Sequence, residues 1–237
     1  MASTTMTLAT GTPAEALLRL LAWCSPAYPV GGFSYSHGIE AAVEAELCNG
    51  RDALLAYVQT ALRAGAGAVD GPLLAAAHRA AEARDDAALD AAAELGAAMR
   101  GTAELALESL QQGGSFASVT ATAWPHPDFA AFAARHPGRM SHAVAFGAAT
   151  GFHAIPLDAA LIGYLSGFAA NLVSAGVRLI PLGQTDAQRV TAALMPAIAA
   201  AAQHASITPL ADIGTATPML DWLSMAHETQ YTRLFRS

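Results

Sequence analysis

The sequence predicts an all-α fold, a single-domain helical bundle of about ten helices with a buried central helix, on three observations. Hydrophobic residues make up 54% of the chain, with alanine supplying much of that, while aromatics reach only 7%. Alanine is the strongest helix former, and the β-branched and aromatic residues that strands favour are thin. Apolar residues recur at helical spacing, and the breaks between runs fall at Pro and Gly, where helices start and stop. A length of 237 residues is enough to bury a sizeable core.

The elements follow in chain order. Residues 1–12 are Thr/Ala-rich with no charged segment leading into an apolar core, so a disordered tail is expected, not a signal peptide. The folded domain is expected over 13–230. Pro13 opens a first helix carrying Leu17, Leu18, Leu20 and Leu21, which Ser25-Pro26 ends. Pro29 and Gly31-Gly32 then form a shaped turn, with Gly38 beyond it, and Ser34 or Ser36 caps a helix running from Ser36 to Glu46. Arg51 to Ala64 is the next helix, with Leu54, Leu55, Val58 and Leu62 on one face.

The run Gly65 to Gly71 lacks the G-x-G-x-x-G spacing and no strand precedes it, so a helix-to-helix turn is expected, with Pro72 starting a helix through Ala83. Asp85 to Gln112 reads as one long helix stopped by Gly113-Gly114, and Ser115 to Ala123 as a short apolar element. Ser141 to Phe152 is a helix with a small-residue face. Leu157 to Val177 is the most apolar run and carries no charge after Asp158 until Arg178. It has the length of a membrane span, and Gly147/Gly151 and Gly163/Gly167 have the G-x-x-x-G form. Asn171, Ser166 and Ser174 interrupt it, and no aromatic or basic belt flanks it, which favours a buried central helix of a protein with no membrane association. Thr185 or Asp186 caps the next helix, to about Gln203, with a bend at Pro196. A short helix ends near His227.

Composition removes several function classes. The formal net charge is −7 and no basic block occurs, so a nucleic-acid partner is not expected. All 12 basic residues are Arg, so there is no Lys for a phosphate-binding P-loop or for Schiff-base chemistry. Cys24 and Cys48 form no C-x-x-C pair, and a secreted disulfide scaffold would be richer, which points to the cytoplasm. His37, His126, His136 and His142 lack the spacing of a helical metal site, so no metal and no cofactor are expected. A hydrolase using Ser34 or Ser36 with His37 has no G-x-S-x-G elbow behind it.

Three stretches remain unusual. Pro29 to Glu40 packs aromatics and hydroxyls into a turn. Arg178 to Asp186 carries Pro181, Gly183 and Gln184 between two long helices. The last residues, 231–237, interleave Tyr231, Leu234 and Phe235 with Arg233 and Arg236, the residue types of protein interfaces, and read as a docking tail.

Together Pro29-Val-Gly-Gly-Phe-Ser-Tyr-Ser-His-Gly-Ile-Glu40, Val177-Arg-Leu-Ile-Pro-Leu-Gly-Gln-Thr-Asp186 and Ser224-Met-Ala-His-Glu-Thr-Gln-Tyr-Thr-Arg-Leu-Phe-Arg-Ser237 resemble the urease accessory protein F family. The resemblance runs in order from about residue 14 to the last residue. It implies an all-α, homodimeric protein without catalytic activity that helps insert nickel into apo-urease. It also implies partners: accessory protein D (H in some species), the nickel-carrying GTPase accessory protein G, and apo-urease. Ala226 stands where family members commonly carry Arg. The partner-binding set expected on these motifs is Phe33, Ser34, Tyr35, His37, Glu40, Arg178, Gln184, Asp186, His227, Glu228, Tyr231, Arg233, Leu234, Phe235 and Arg236. Arg178 or Arg189 is a candidate for acting on the partner's GTP hydrolysis.

Overall fold

Helix formation follows the alanine-rich sequence almost without interruption in the computed structural model, which describes residues 12–237. Eleven α-helices form among them: α1 (Pro13–Trp23), α2 (Ile39–Glu44), α3 (Arg51–Arg63), α4 (Ala66–Ala83), α5 (Asp86–Ala98), α6 (Ala103–Ala123), α7 (Pro127–Arg135), α8 (His142–Phe152), α9 (Leu157–Leu179), α10 (Gln184–Ile207) and α11 (Pro218–Glu228). Short 3-10 turns lie at Gly32–Ser34 and Leu210–Asp212, and no strand occurs among the described residues. The expected disordered tail, residues 1–12, lies outside the described residues except for Thr12. That residue caps α1 by accepting the Glu15 N–H at 3.3 Å.

The helix at the centre is α8, buried without a break from Ala143 to Gly151. Its small residues permit this. A Cβ on Gly147 would stand 2.3 Å from the Leu74 carbonyl oxygen, and one on Gly151 2.4 Å from that of His78, so α4 lies backbone against backbone on α8. Around this pair, α6 packs Phe116 onto Phe146, with ring centroids 5.3 Å apart, and Trp23 of α1 meets Phe116 edge-on at 5.7 Å. The helices α9, α10 and α3 close the other side.

The sequence places the burial on the following run, Leu157 to Val177, and here the structure differs. Only half of the most apolar window of α9 is buried in the protein, because one face of α9 meets α10, α2 and α3 while Ile162 points outward. By length and composition α9 and α10 are both apolar enough to cross a membrane, with half and a third of their windows buried inside the protein.

Four boundaries also change. α4 begins at Ala66, so Gly65 to Gly71 is largely helix and Pro72 stands inside it. The glycines serve packing: a Cβ on Gly67 would lie 2.4 Å from the Leu62 carbonyl oxygen, and one on Gly71 2.5 Å from Ala205 Cβ. The expected long helix is two, because the chain turns at Met99 to Thr102 and Thr102 caps α6 by accepting the Leu105 N–H at 3.2 Å. Gly113-Gly114 stops nothing; both lie inside α6, which continues through the stretch expected to be separate, and a Cβ on Gly113 would meet the Met140 carbonyl oxygen at 2.0 Å. Finally, α10 is preceded by Gly183 with no side-chain cap, and neither Thr185 nor Asp186 has that role.

Candidate functional site

Proline and glycine set the shape of the first unusual stretch. Pro29 leads into Gly31, whose φ of +75° starts the short 3-10 turn, and Gly38 at φ +81° starts α2. Gly32 needs no such freedom, since a Cβ there would meet only ordinary contacts; the third positive-φ position, and the strained non-glycine one, is His37, at φ +55°. The helix is shorter than expected, beginning at Ile39. Ser36 still acts as a local cap, its hydroxyl accepting the Glu40 N–H at 3.3 Å.

The C-terminal tail folds back into this turn. Ser36 N–H donates to the Ser237 carbonyl at 2.7 Å, and Arg236 N–H donates to the Ser34 carbonyl at 2.8 Å. Glu40 receives the backbone N–H groups of Leu234 at 2.6 Å and Phe235 at 2.9 Å, a carboxylate serving two otherwise orphaned donors. Phe235 is buried, with the Arg178 guanidinium 4.2 Å from its ring centroid. Burial holds the Arg178 guanidinium below its usual range. Tyr35 is buried too: its hydroxyl donates to Gln111, its carbonyl accepts from Asn171 at 3.4 Å, and Arg236 lies 6.0 Å from its ring.

Below the tail lies a set of buried ionisable groups. His227 is fully buried, with Nδ1 2.8 Å from Glu104 and Nε2 3.0 Å from Glu40. Arg233 reaches Glu104 at 3.1 Å. His37 Nδ1 is 3.2 Å from Glu108, which also accepts from the Ser237 hydroxyl at 3.0 Å. Burial acts to raise the Glu108 carboxyl, but the His37 charge and hydrogen bond, the Ser237 hydroxyl and Arg100 outweigh it and hold it below the ordinary carboxylate range. Arg100 in turn pairs with buried Asp70, to which Tyr164 donates at 3.1 Å.

The structure thus brings together Ser34, Tyr35, His37, Glu40, Arg178, His227, Arg233, Leu234, Phe235 and Arg236. Gln184 and Asp186 stand apart: Gln184 is exposed at the start of α10, and Asp186 pairs with Arg189 at 3.0 Å. Phe33, Glu228 and Tyr231 point outward; Phe33 is 69% exposed and Tyr231 fully so. Met219, Trp222 and Met225 on α11 and Leu234 in the tail are exposed as well. A shallow groove between α2 and α11, lined by Ala41, Glu44, Trp222, Ala226 and Tyr231, has a volume of about 380 Å³.

Sequence reasoning missed Glu104, Glu108, Gln111 and Asn171. A signal existed: Glu104 and Glu108 lie four apart, on the same face of a helix whose neighbouring positions Leu105 and Ser109 are buried.

Ser34 contributes its backbone and Ser36 Oγ donates to the Ser237 carbonyl, so neither hydroxyl is aimed by His37, which faces Glu108. Burial pushes the Cys24 thiol up to about 12 and the Cys48 thiol up to about 11, so neither is a thiolate near neutral pH. Among the described residues no group of three or more His, Cys, Asp or Glu is arranged to hold a metal ion.

The motif turn and the C-terminal tail thus come together against α2, α6 and α9, with exposed apolar side chains beside them. The sequence model of the UreF family matches residues 48–195. The chain is 61% identical over 222 residues to a urease accessory protein UreF of Granulibacter bethesdensis, covering 94% of each chain. It is 48% identical to one of Rhodopseudomonas palustris, over 94% of this chain and 92% of the relative, and 46% identical to one of Methylorubrum populi, over 93% and 98%. This chain belongs to the UreF family of urease accessory proteins.

Proposed function

We propose that this chain is a non-catalytic urease maturation factor that bridges accessory protein D/H and the GTPase accessory protein G during GTP-dependent nickel insertion into apo-urease. It carries no cofactor of its own, nickel being cargo, and works as a homodimer in the cytoplasm. Family membership supports the urease role. The observation that carries the docking role is the exposure of Trp222, Met225, Tyr231 and Leu234 on α11 and on a tail whose backbone is fixed by Glu40. Aromatic and aliphatic anchors on a rigid base bind at low entropic cost. Phe33 lies on the motif turn that holds this tail.

Removing the tail outright would take from Glu40, Glu104 and Glu108 the partners the tail supplies, so point changes on exposed side chains make the cleaner test. Tyr231→Ala with Leu234→Ala should abolish co-purification with accessory protein D/H while circular dichroism and the melting temperature stay unchanged. Undiminished co-purification overturns the docking assignment. Urease activity and nickel content restored by this chain in cells lacking their own copy test the maturation role itself. A GTPase assay of protein G, with and without this chain and protein D/H, separates an active contribution from Arg178 or Arg189 from simple bridging.

A further inference from the structure

The groove between α2 and α11 combines features that a plain apolar slot does not need. Its floor is low because Ala41 and Ala45 meet Ala226 there, and a longer side chain at position 226 would lie in the groove itself. Two aromatic side chains line it, Trp222, which is half exposed, and Tyr231, which is fully so. Elsewhere the chain sets its own Arg against its rings: Arg135 at Phe132, Arg178 at Phe235 and Arg236 at Tyr35. Among the described residues no Arg stands over Trp222 or Tyr231, although tryptophan is the best ring for holding a cation.

The polar groups of the groove are acceptors. Its one charged lining residue is Glu44, exposed at the end of α2. Gln230 gives its Nε2 to the Thr232 carbonyl at 3.0 Å, which leaves Oε1 a buried acceptor with no donor. Such an oxygen costs free energy until a donor reaches it.

We propose that this groove receives one arginine side chain presented by a protein partner. The aliphatic stem would lie on the alanine methyl groups, the flat guanidinium against the aromatic rings, and its N–H groups toward Glu44 and Gln230 Oε1. Lysine offers a point charge without the flat face. An apolar anchor would cover the Gln230 oxygen and leave it unpaired, and an anion would meet the Glu44 carboxylate without a donor to hold it. Charge around the groove agrees with a basic partner. Glu46 and Glu228 are exposed beside it, and the whole chain carries a formal net charge of −7. That the arginine belongs to a maturation partner rests on the docking role proposed above; capture of the guanidinium itself does not.

The test uses the full chain, labelled with nitrogen-15, and three small probes: N-acetyl-arginine amide, its neutral isostere N-acetyl-citrulline amide, and the apolar N-acetyl-norleucine amide. NMR signals of the Trp222 indole N–H and the Gln230 side-chain amide report on the groove. The arginine probe should shift both saturably, and the other two should bind at least about tenfold more weakly. Glu44→Gln, at an exposed position, should bring arginine binding down toward that of citrulline. Ala226→Arg, which places a guanidinium of the chain's own in the groove, should block the titration. No saturable shift in the wild type overturns the proposal. So does citrulline or norleucine binding as well as arginine, or undiminished arginine binding in Glu44→Gln. The titrations need no partner protein, so a failed pull-down beside a positive titration refutes the docking role alone, and the reverse result refutes the arginine site alone.

Discussion

The Glu40 carboxylate accepts the Phe235 backbone N–H at 2.9 Å, joining the second helix to a residue 195 positions later. Because the same carboxylate takes the Leu234 N–H and faces His227, one side chain holds the motif turn, α11 and the tail in register.

Replacing that carboxylate tests how much it holds. Glu40→Gln keeps one acceptor oxygen but loses the charge and adds a donor facing backbone N–H groups. A loss of about 2–3 kcal/mol in urea denaturation is expected, as for a buried charged hydrogen-bond set broken on one side.

Adjacent glycines in α6 give opposite signs. Gly113→Ala would drive a Cβ to 2.0 Å from the Met140 carbonyl oxygen, whereas nothing lies within 4 Å of a Cβ on Gly114. The first should cost about 3 kcal/mol or prevent folding. The second should stabilise by about 0.5–1 kcal/mol, since it replaces a mid-helix glycine in open space. Thermal melts of the two variants check the pair.

Packing around the tail separates the two partners of the Arg178–Phe235 contact. Phe235→Ala empties a buried site and should cost about 3 kcal/mol. Arg178→Ala removes the cation over the ring and an exposed hydrogen bond to the Ser174 carbonyl, and should cost about 1 kcal/mol or less. Equal losses in the two variants would contradict this division.

Acid sensitivity should trace in part to His142. Burial pulls its imidazole down to about 4, and Phe116, Phe146 and Tyr164 surround it. The unfolded chain takes up this proton near the ordinary histidine value of about 6.5 and the folded chain does not, so stability falls as pH drops from there to about 4. Glu108, held low, adds its own loss further down, as pH falls through its folded value. His142→Phe should flatten the upper part of the stability–pH profile measured by urea denaturation.

The helices were legible because their signals are local. Alanine content, apolar residues at helical spacing and Pro13 at a first turn act within a few residues of where they sit. The three motifs were legible as unusual for the same reason: each concentrates costly residues in a short stretch. Glycine was the least readable letter. Gly67, Gly71 and Gly113 look like breaks in the sequence, yet each lies inside a helix because another backbone or side chain presses where a Cβ would be.

By itself, then, the sequence determined an all-helical chain and its UreF-like motifs. Tertiary structure alone decided that α8, not the longer apolar α9, is the buried axis, since burial depends on how closely neighbours approach. It also decided what the tail is attached to. Glu40, Glu104, Glu108, His37 and His227 are spread over nearly the whole chain, and no local signal says that carboxylates so far apart share one histidine and one strip of backbone. Only folding sets those charges out of water and within hydrogen-bond reach, where each needs the others.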